Sequence, residues 1–112
     1  MSCELILGDC LTELHAIADC SVDLLLVDLP YGTTACKWDS IIPLDELWPH
    51  YRRICKPNAA MVFTAAQPFT TVLAASNLRD FRYEWIWVKP QGTNPMNAKV
   101  MPLKAHENIL VF

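Results

Sequence analysis

With 112 residues, the chain can form one domain with a modest core, and its 53% of hydrophobic residues argues against disorder. A net charge of -3 at pH 7 argues against a fold that holds a phosphate backbone through charge alone. All nine Lys and Arg residues come from position 37 onward, so nucleic acid, if it binds, is expected to approach the later loops.

The five cysteines are odd in number, and no two have C-x-x-C spacing, which argues against a zinc site or a disulfide framework. No apolar stretch reaches the roughly 20 residues of a membrane span, and residues 1–9 lack the basic start of a signal peptide. We therefore expect reduced thiols, no metal, no membrane association and a cytoplasmic location.

In the first half of the chain, residues 3–7 are a short apolar run and predict a first strand. Residues 11–18 have apolar side chains at helical spacing, with Asp9 as a candidate cap. Residues 21–28 contain an almost unbroken apolar run, which is typical of a central parallel strand buried on both faces. A loop is expected over residues 33–42.

In the second half, residues 44–55 predict an amphipathic helix that Pro49 should kink or delay to about its own position. Further elements are expected as a strand over 60–64, a helix over 68–77 with Phe69, Val72 and Leu73 facing inward, a strand over 83–88, a long loop over 91–103 and a last strand over 106–112. This alternation predicts an α/β fold with a mostly parallel sheet and an antiparallel pair at one edge.

A polar turn follows the central strand at Asp28-Leu29-Pro30-Tyr31, which Gly32 completes. Ligands of open α/β sheets bind at the carboxyl ends of the strands, so this turn is the first candidate site. From the residues alone, Asp28 could equally cap a loop and Tyr31 could pack in the core.

Asp28-Leu29-Pro30-Tyr31 resembles motif IV of the S-adenosylmethionine-dependent DNA amino-methyltransferases, which methylate the exocyclic amine of adenine or cytosine. Leu29 stands where proline is commoner. The resemblance, to the N-terminal part of phage- or prophage-type enzymes whose catalytic motif precedes the cofactor motif, covers nearly the whole chain. It includes Gly8-Asp9-Cys10, Lys37-Trp38-Asp39, Trp85-Ile86-Trp87-Val88-Lys89 and Ala105-His106-Glu107-Asn108-Ile109-Leu110-Val111-Phe112.

The resemblance implies a partial Rossmann-like methyltransferase sheet in which the first two strands of the family sheet are absent. The family's Gly-rich cofactor turn has no counterpart, since the three glycines, Gly8, Gly32 and Gly92, are far apart. Residues 1–112 are therefore expected to be the truncated catalytic-motif half of a methyltransferase domain. A second chain or a C-terminal half would supply the cofactor turn.

The resemblance also implies roles for individual residues. Asp28 and the Leu29 carbonyl would accept the amine hydrogens, Pro30 would fix the turn, and Tyr31 would stack on a base flipped out of double-stranded DNA. Asp9 would contact the S-adenosylmethionine adenine, although a helix cap is equally compatible, and the Cys10 backbone is a further candidate contact.

Three residues after the motif, Lys37, Trp38 and Asp39, are candidates to line the base pocket or the DNA cleft, with a plain surface loop as the alternative. Trp85, Trp87 and Lys89 are interpreted as core residues and a charge at a strand end. The resemblance implies a site-specific DNA methyltransferase of a restriction-modification or prophage system. The alternatives are a catalytically inactive remnant or assembly module, and an enzyme that methylates RNA or protein glutamine.

Overall fold

The computed structural model describes residues 1–112 and contains four strands: β1 (Val22–Asp28), β2 (Cys55–Ala65), β3 (Tyr83–Thr93) and β4 (Lys104–Val111). They form one sheet in the order β1-β2-β4-β3. β1 and β2 are parallel, whereas β4 is antiparallel to both β2 and β3. The predicted α/β class and the antiparallel edge pair are confirmed.

The helices are α1 (Cys10–Glu13), which continues as a 3-10 turn over Leu14–Ala16, α2 (Leu44–Ile54) and α3 (Phe69–Ser76). A second 3-10 turn covers Pro95–Asn97. Pro49 lies inside α2, which nevertheless begins at Leu44, so the predicted delay of the helix to Pro49 was wrong. None of the helices is long and apolar enough to cross a membrane.

The core lies between α2, α3 and the sheet. The apolar face of α2 is buried as predicted, and its Trp48 ring packs between Phe63 of β2 and Phe112, with centroid distances of 5.3 and 4.8 Å. From α3, Phe69 and Leu73 are buried, but Val72 is exposed and its predicted inward orientation was wrong. Aromatic and aliphatic side chains from both layers therefore form one cluster.

Two predictions for the first half of the chain were wrong. Residues 3–7 form no strand, because β1 is an edge strand with no neighbour on its outer side. For the same reason β1 is not a central strand buried on both faces, and Leu24 and Leu26 are exposed. Parallel pairing is therefore confined to β1 and β2.

The opposite edge of the sheet also differs from expectation. Trp85 and Trp87 are exposed rather than part of the core, because β3 is the other edge strand and no helix covers them. β3 continues to Thr93, and a second stretch of pairing joins Thr93 to Lys104. The loop predicted over 91–103 therefore begins only after Thr93.

Candidate active site

The Asp28–Tyr31 motif leaves the sheet at the carboxyl end of β1. Leu29 is buried and holds the turn against the core, whereas Asp28 is exposed. Gly32 has a φ of 71°, a left-handed conformation that glycine adopts at little steric cost. The sequence therefore places one anchoring side chain between a polar group and a sharp change of chain direction.

The Asp28 carboxylate has one occupied and one free oxygen. Its Oδ1 accepts hydrogen bonds from the Thr64 hydroxyl at 2.5 Å and from the Tyr31 hydroxyl at 3.3 Å. Thr64 is the Cα partner of Asp28 in the parallel β1–β2 ladder. Oδ2 makes no hydrogen bond within the protein and is available to an external donor.

Tyr31 packs on one side and remains open on the other. Its ring stacks on Phe69 of α3, with centroids 5.4 Å apart and an interplanar angle of 20°. Burial raises the pKa of the Tyr31 hydroxyl above its ordinary value, so the group is protonated at neutral pH and donates to Asp28. The packing alternative therefore describes one face of the ring.

Two clefts meet at the motif. The Tyr31 cleft, of about 600 Å³, is bounded by Tyr31, Thr64, Trp87, Lys89 and Glu107 among others. The Asp9 cleft, of about 680 Å³, includes Gly8, Asp9 and Cys10. Both clefts share the walls formed by Val27, Asp28, Leu29, Pro30 and Trp38. The motif thus separates the two spaces that a two-substrate reaction requires.

Asp9 and Cys10 lie together at the start of α1. The Oδ1 of Asp9 accepts from the Leu11 amide at 2.9 Å, which confirms the predicted cap. The second carboxylate oxygen of Asp9 makes no hydrogen bond, so capping leaves an acceptor in the Asp9 cleft. Cys10 is half-buried, and burial raises the pKa of its thiol.

The three residues after the motif have different positions. Trp38 is exposed and lines both clefts, whereas Lys37 lines neither of them. Asp39 borders the Tyr31 cleft, but its carboxylate accepts from the Gly32, Thr33 and Thr34 amides and from the Thr34 hydroxyl, at 2.7 to 3.1 Å. These hydrogen bonds, led by the Thr34 hydroxyl, lower the pKa of Asp39 to about 2. Asp39 therefore organises the loop.

Residues that sequence reasoning did not assign to the site also border the Tyr31 cleft. Lys89 lies 3.7 Å from the centroid of the Trp87 ring and 3.5 Å from a Glu107 carboxylate oxygen. Trp87 and Glu107 are Cα partners in the β3–β4 ladder. Thr64 could have been found from sequence, because the ends of adjacent parallel strands meet at one edge of the sheet.

The remaining polar chemistry is limited. No group of three or more His, Cys, Asp or Glu side chains is arranged to hold a metal ion. All five cysteines are free thiols. The chemistry available at the motif is therefore that of carboxylate, hydroxyl, amine and aromatic groups.

No protein-family model and no curated protein matches this sequence. Among solved structures, the PvuII DNA methyltransferase (cytosine-N4-specific) superposes with a TM-score of 0.71 at 14% identity, over 94% of this chain and 46% of that one. This chain has part of the methyltransferase fold. The M1.HpyAVI-SAM complex matches at 0.61 and 19%, over 91% and 48%.

A third structure with this methyltransferase fold is TTHA0409 from Thermus thermophilus, described as a DNA modification methylase and complexed with S-adenosyl-L-methionine. It matches with a TM-score of 0.64 at 24% identity, over 93% of this chain and 52% of that one. The chain thus spans about half the length of the structures it resembles.

Proposed function

We propose that residues 1–112 form the catalytic-motif half of an S-adenosylmethionine-dependent DNA methyltransferase that acts on the exocyclic amine of adenine or cytosine. The observation that carries this proposal is the Asp28–Pro30 wall shared by two clefts, one of which contains Asp9 and the other Tyr31. The fold similarity to proteins named as DNA methyltransferases supports it.

The Asp9 cleft suits a nucleoside-sized cofactor. Its volume of about 680 Å³ lies within the range of roughly 300–1,000 Å³ that is typical of small-molecule sites. The free oxygen of Asp9 can accept a hydrogen bond from the cofactor's adenine, and the Cys10 backbone lies beside it. S-adenosylmethionine, when bound there, would supply the electrophilic methyl group.

Asp28 provides the chemistry on the amine. An exocyclic amine is a weak nucleophile because its lone pair is delocalised into the base. By accepting an amine hydrogen, Asp28 Oδ2 would localise that lone pair and orient the nitrogen towards the Asp9 cleft. No covalent bond to the protein is needed, so positioning accounts for most of the rate.

The Tyr31 cleft would receive the base. A base must leave the DNA duplex before its amine can be reached, and aromatic side chains stabilise it once it has left. Tyr31 and the exposed Trp38 supply such surfaces, and Lys89 supplies a cation at the rim. We propose double-stranded DNA as the substrate, in a cytoplasmic restriction-modification or prophage setting.

The cofactor site needs a complement. A Gly-rich turn of the kind that binds this cofactor does not occur among the 112 residues, whose glycines are Gly8, Gly32 and Gly92. We propose that another chain or a C-terminal half supplies it. The same observation favours the second candidate function, a catalytically inactive module that retains the fold and serves in binding or assembly.

The test is transfer of tritiated methyl groups from S-adenosylmethionine to unmethylated DNA, followed by nucleoside analysis for N6-methyladenine and N4-methylcytosine. Asp28→Ala should reduce transfer by roughly 100-fold or more, while the calorimetric affinity for S-adenosylmethionine changes little. Asp23→Ala, in the same strand, is the matched control and should retain wild-type transfer.

Equal turnover in Asp28→Ala and the wild type would contradict the assignment of Asp28. Cofactor binding by the wild type without any methyl transfer to DNA would favour the inactive module. Absence of both binding and transfer would contradict a methyltransferase role for these residues on their own.

A further inference from the structure

We infer that Thr64 is a positioning residue that holds Oδ1 of Asp28 and so reserves Oδ2 for the amine of the target base. This inference rests on the proposed function. The resemblance that identifies the motif gives no role to Thr64, which lies 36 residues further along the chain in β2.

The sheet register brings the two residues together. Asp28 and Thr64 are Cα partners at the carboxyl ends of parallel strands, so their side chains leave the same face of the sheet. The hydroxyl-to-carboxylate distance of 2.5 Å lies in the range of short charge-assisted hydrogen bonds. This contact is the shortest that the Asp28 carboxylate makes.

Thr64 itself is well fixed. Its neighbours in β2, Phe63 and Ala65, are fully buried and hold the strand against α2. A β-branched side chain has few accessible χ1 rotamers, so the hydroxyl has little freedom to leave its position. A rigid donor in the core therefore restrains an acceptor that is itself exposed.

Restraint of one oxygen matters because the carboxylate group can otherwise rotate about its terminal torsion, which is broad and roughly two-fold. Rotation would exchange the two oxygens and move the free acceptor away from the amine. The Tyr31 hydroxyl also donates to Oδ1, but at 3.3 Å it is the weaker restraint. Thr64 thus sets the orientation, and Tyr31 supports it.

The experiment compares Thr64→Val, Thr64→Ser and Thr71→Val in steady-state methyl transfer to DNA. Thr64→Val keeps the shape but removes the donor, so kcat should fall by roughly tenfold to a hundredfold while the KM values for DNA and S-adenosylmethionine stay within about twofold. Thr64→Ser keeps the donor and should recover kcat to within about threefold of the wild type.

Thr71→Val is the control, because Thr71 loses a side-chain hydrogen bond to Gln67 on the exposed side of α3. Its kcat should equal that of the wild type. Equal losses in the Val and Ser variants of Thr64, or a change in KM with kcat unaltered, would overturn the inference.

A second measurement does not depend on turnover. The carboxyl ¹³C resonance of Asp28 should move in Thr64→Val and keep its wild-type position in Thr64→Ser and Thr71→Val. An active wild type whose resonance is unmoved in Thr64→Val overturns the inference but leaves the proposed function intact. A wild type that binds the cofactor and transfers no methyl group overturns the proposed function, and the catalytic role of Thr64 with it.

Discussion

Leu26 and Leu47 are the same residue type in elements that the sequence predicts to be buried, yet Leu26 of β1 is 72% exposed and Leu47 of α2 is 0% exposed. The difference arises from position in the sheet. α2 packs over β2 in the middle of the layer, whereas β1 is an edge strand with incomplete cover. Apolar composition therefore indicates which segments can be buried, and the neighbours of each strand decide which segments are.

The motif lies at the boundary between these two regions. Leu29 belongs to the packed cluster, and Asp28 before it is exposed. A site at such a boundary combines a rigid base with open access for a ligand. The comparison can be tested by substitutions on either side of it.

The largest effect is expected for Leu47→Ala, which removes a fully buried side chain from the core. We expect the free energy of unfolding in urea to fall by about 2–5 kcal/mol. Leu26→Ala in β1 is the matched control and should change it by no more than about 0.5 kcal/mol. Similar losses in both variants would show that β1 is covered in solution.

A smaller effect is expected where the first part of the chain attaches to α2. Arg53 donates to the carbonyls of Leu14 and Ile17, each at 2.7 Å, and to the carboxylate of Asp19. Arg53→Ala should lower the free energy of unfolding by about 1–3 kcal/mol. Asp19→Ala removes only the exposed partner and should cost less than about 1 kcal/mol. The reverse order would contradict this assignment.

Asp39 gives a pH-dependent prediction. Its folded pKa of about 2 lies below the ordinary value of 3.8, so the loop hydrogen bonds are fully present above pH 3.8 and are lost as the pH falls through about 2. The amide proton shifts of Gly32, Thr33 and Thr34 should therefore titrate with a midpoint near pH 2. A midpoint near 3.8 would contradict the hydrogen bonding, and Asp39→Asn should abolish the titration.

The smallest effect is expected in residues 1–7. Leu7 is 102% exposed, so Leu7→Ser should leave the free energy of unfolding within about 0.5 kcal/mol of the wild type. Thermal and urea unfolding both measure this. A loss above about 1 kcal/mol would show that the segment packs against the domain.

The sequence was sufficient to predict elements whose signal is local. The helical spacing of apolar residues located α2, and the absence of a helix between the last two strands indicated their antiparallel pairing. The exposure of Leu24 and Trp85 could not be predicted in this way, because it depends on which strands lie beside β1 and β3. Residue type alone does not contain that information.

The site divides along the same line. The Asp9 cap follows from residues two positions apart, and it was predicted. The hydrogen bond from Thr64 to Asp28 depends on the register of two strands, and the ion pair of Lys89 with Glu107 depends on another. The role of Asp39 was missed because four donors converge on it only once the loop is closed.

The position of β4 has a consequence for folding. β2 and β3 are not hydrogen-bonded to each other, and each joins the sheet through β4, the last strand in the chain. During synthesis, β3 is therefore complete before its only strand neighbour exists, and its exposed tryptophans have no ladder to hold them. Pairing over such sequence separations is slow and prone to aggregation, so we expect folding to be completed only after residues 104–111 have been made.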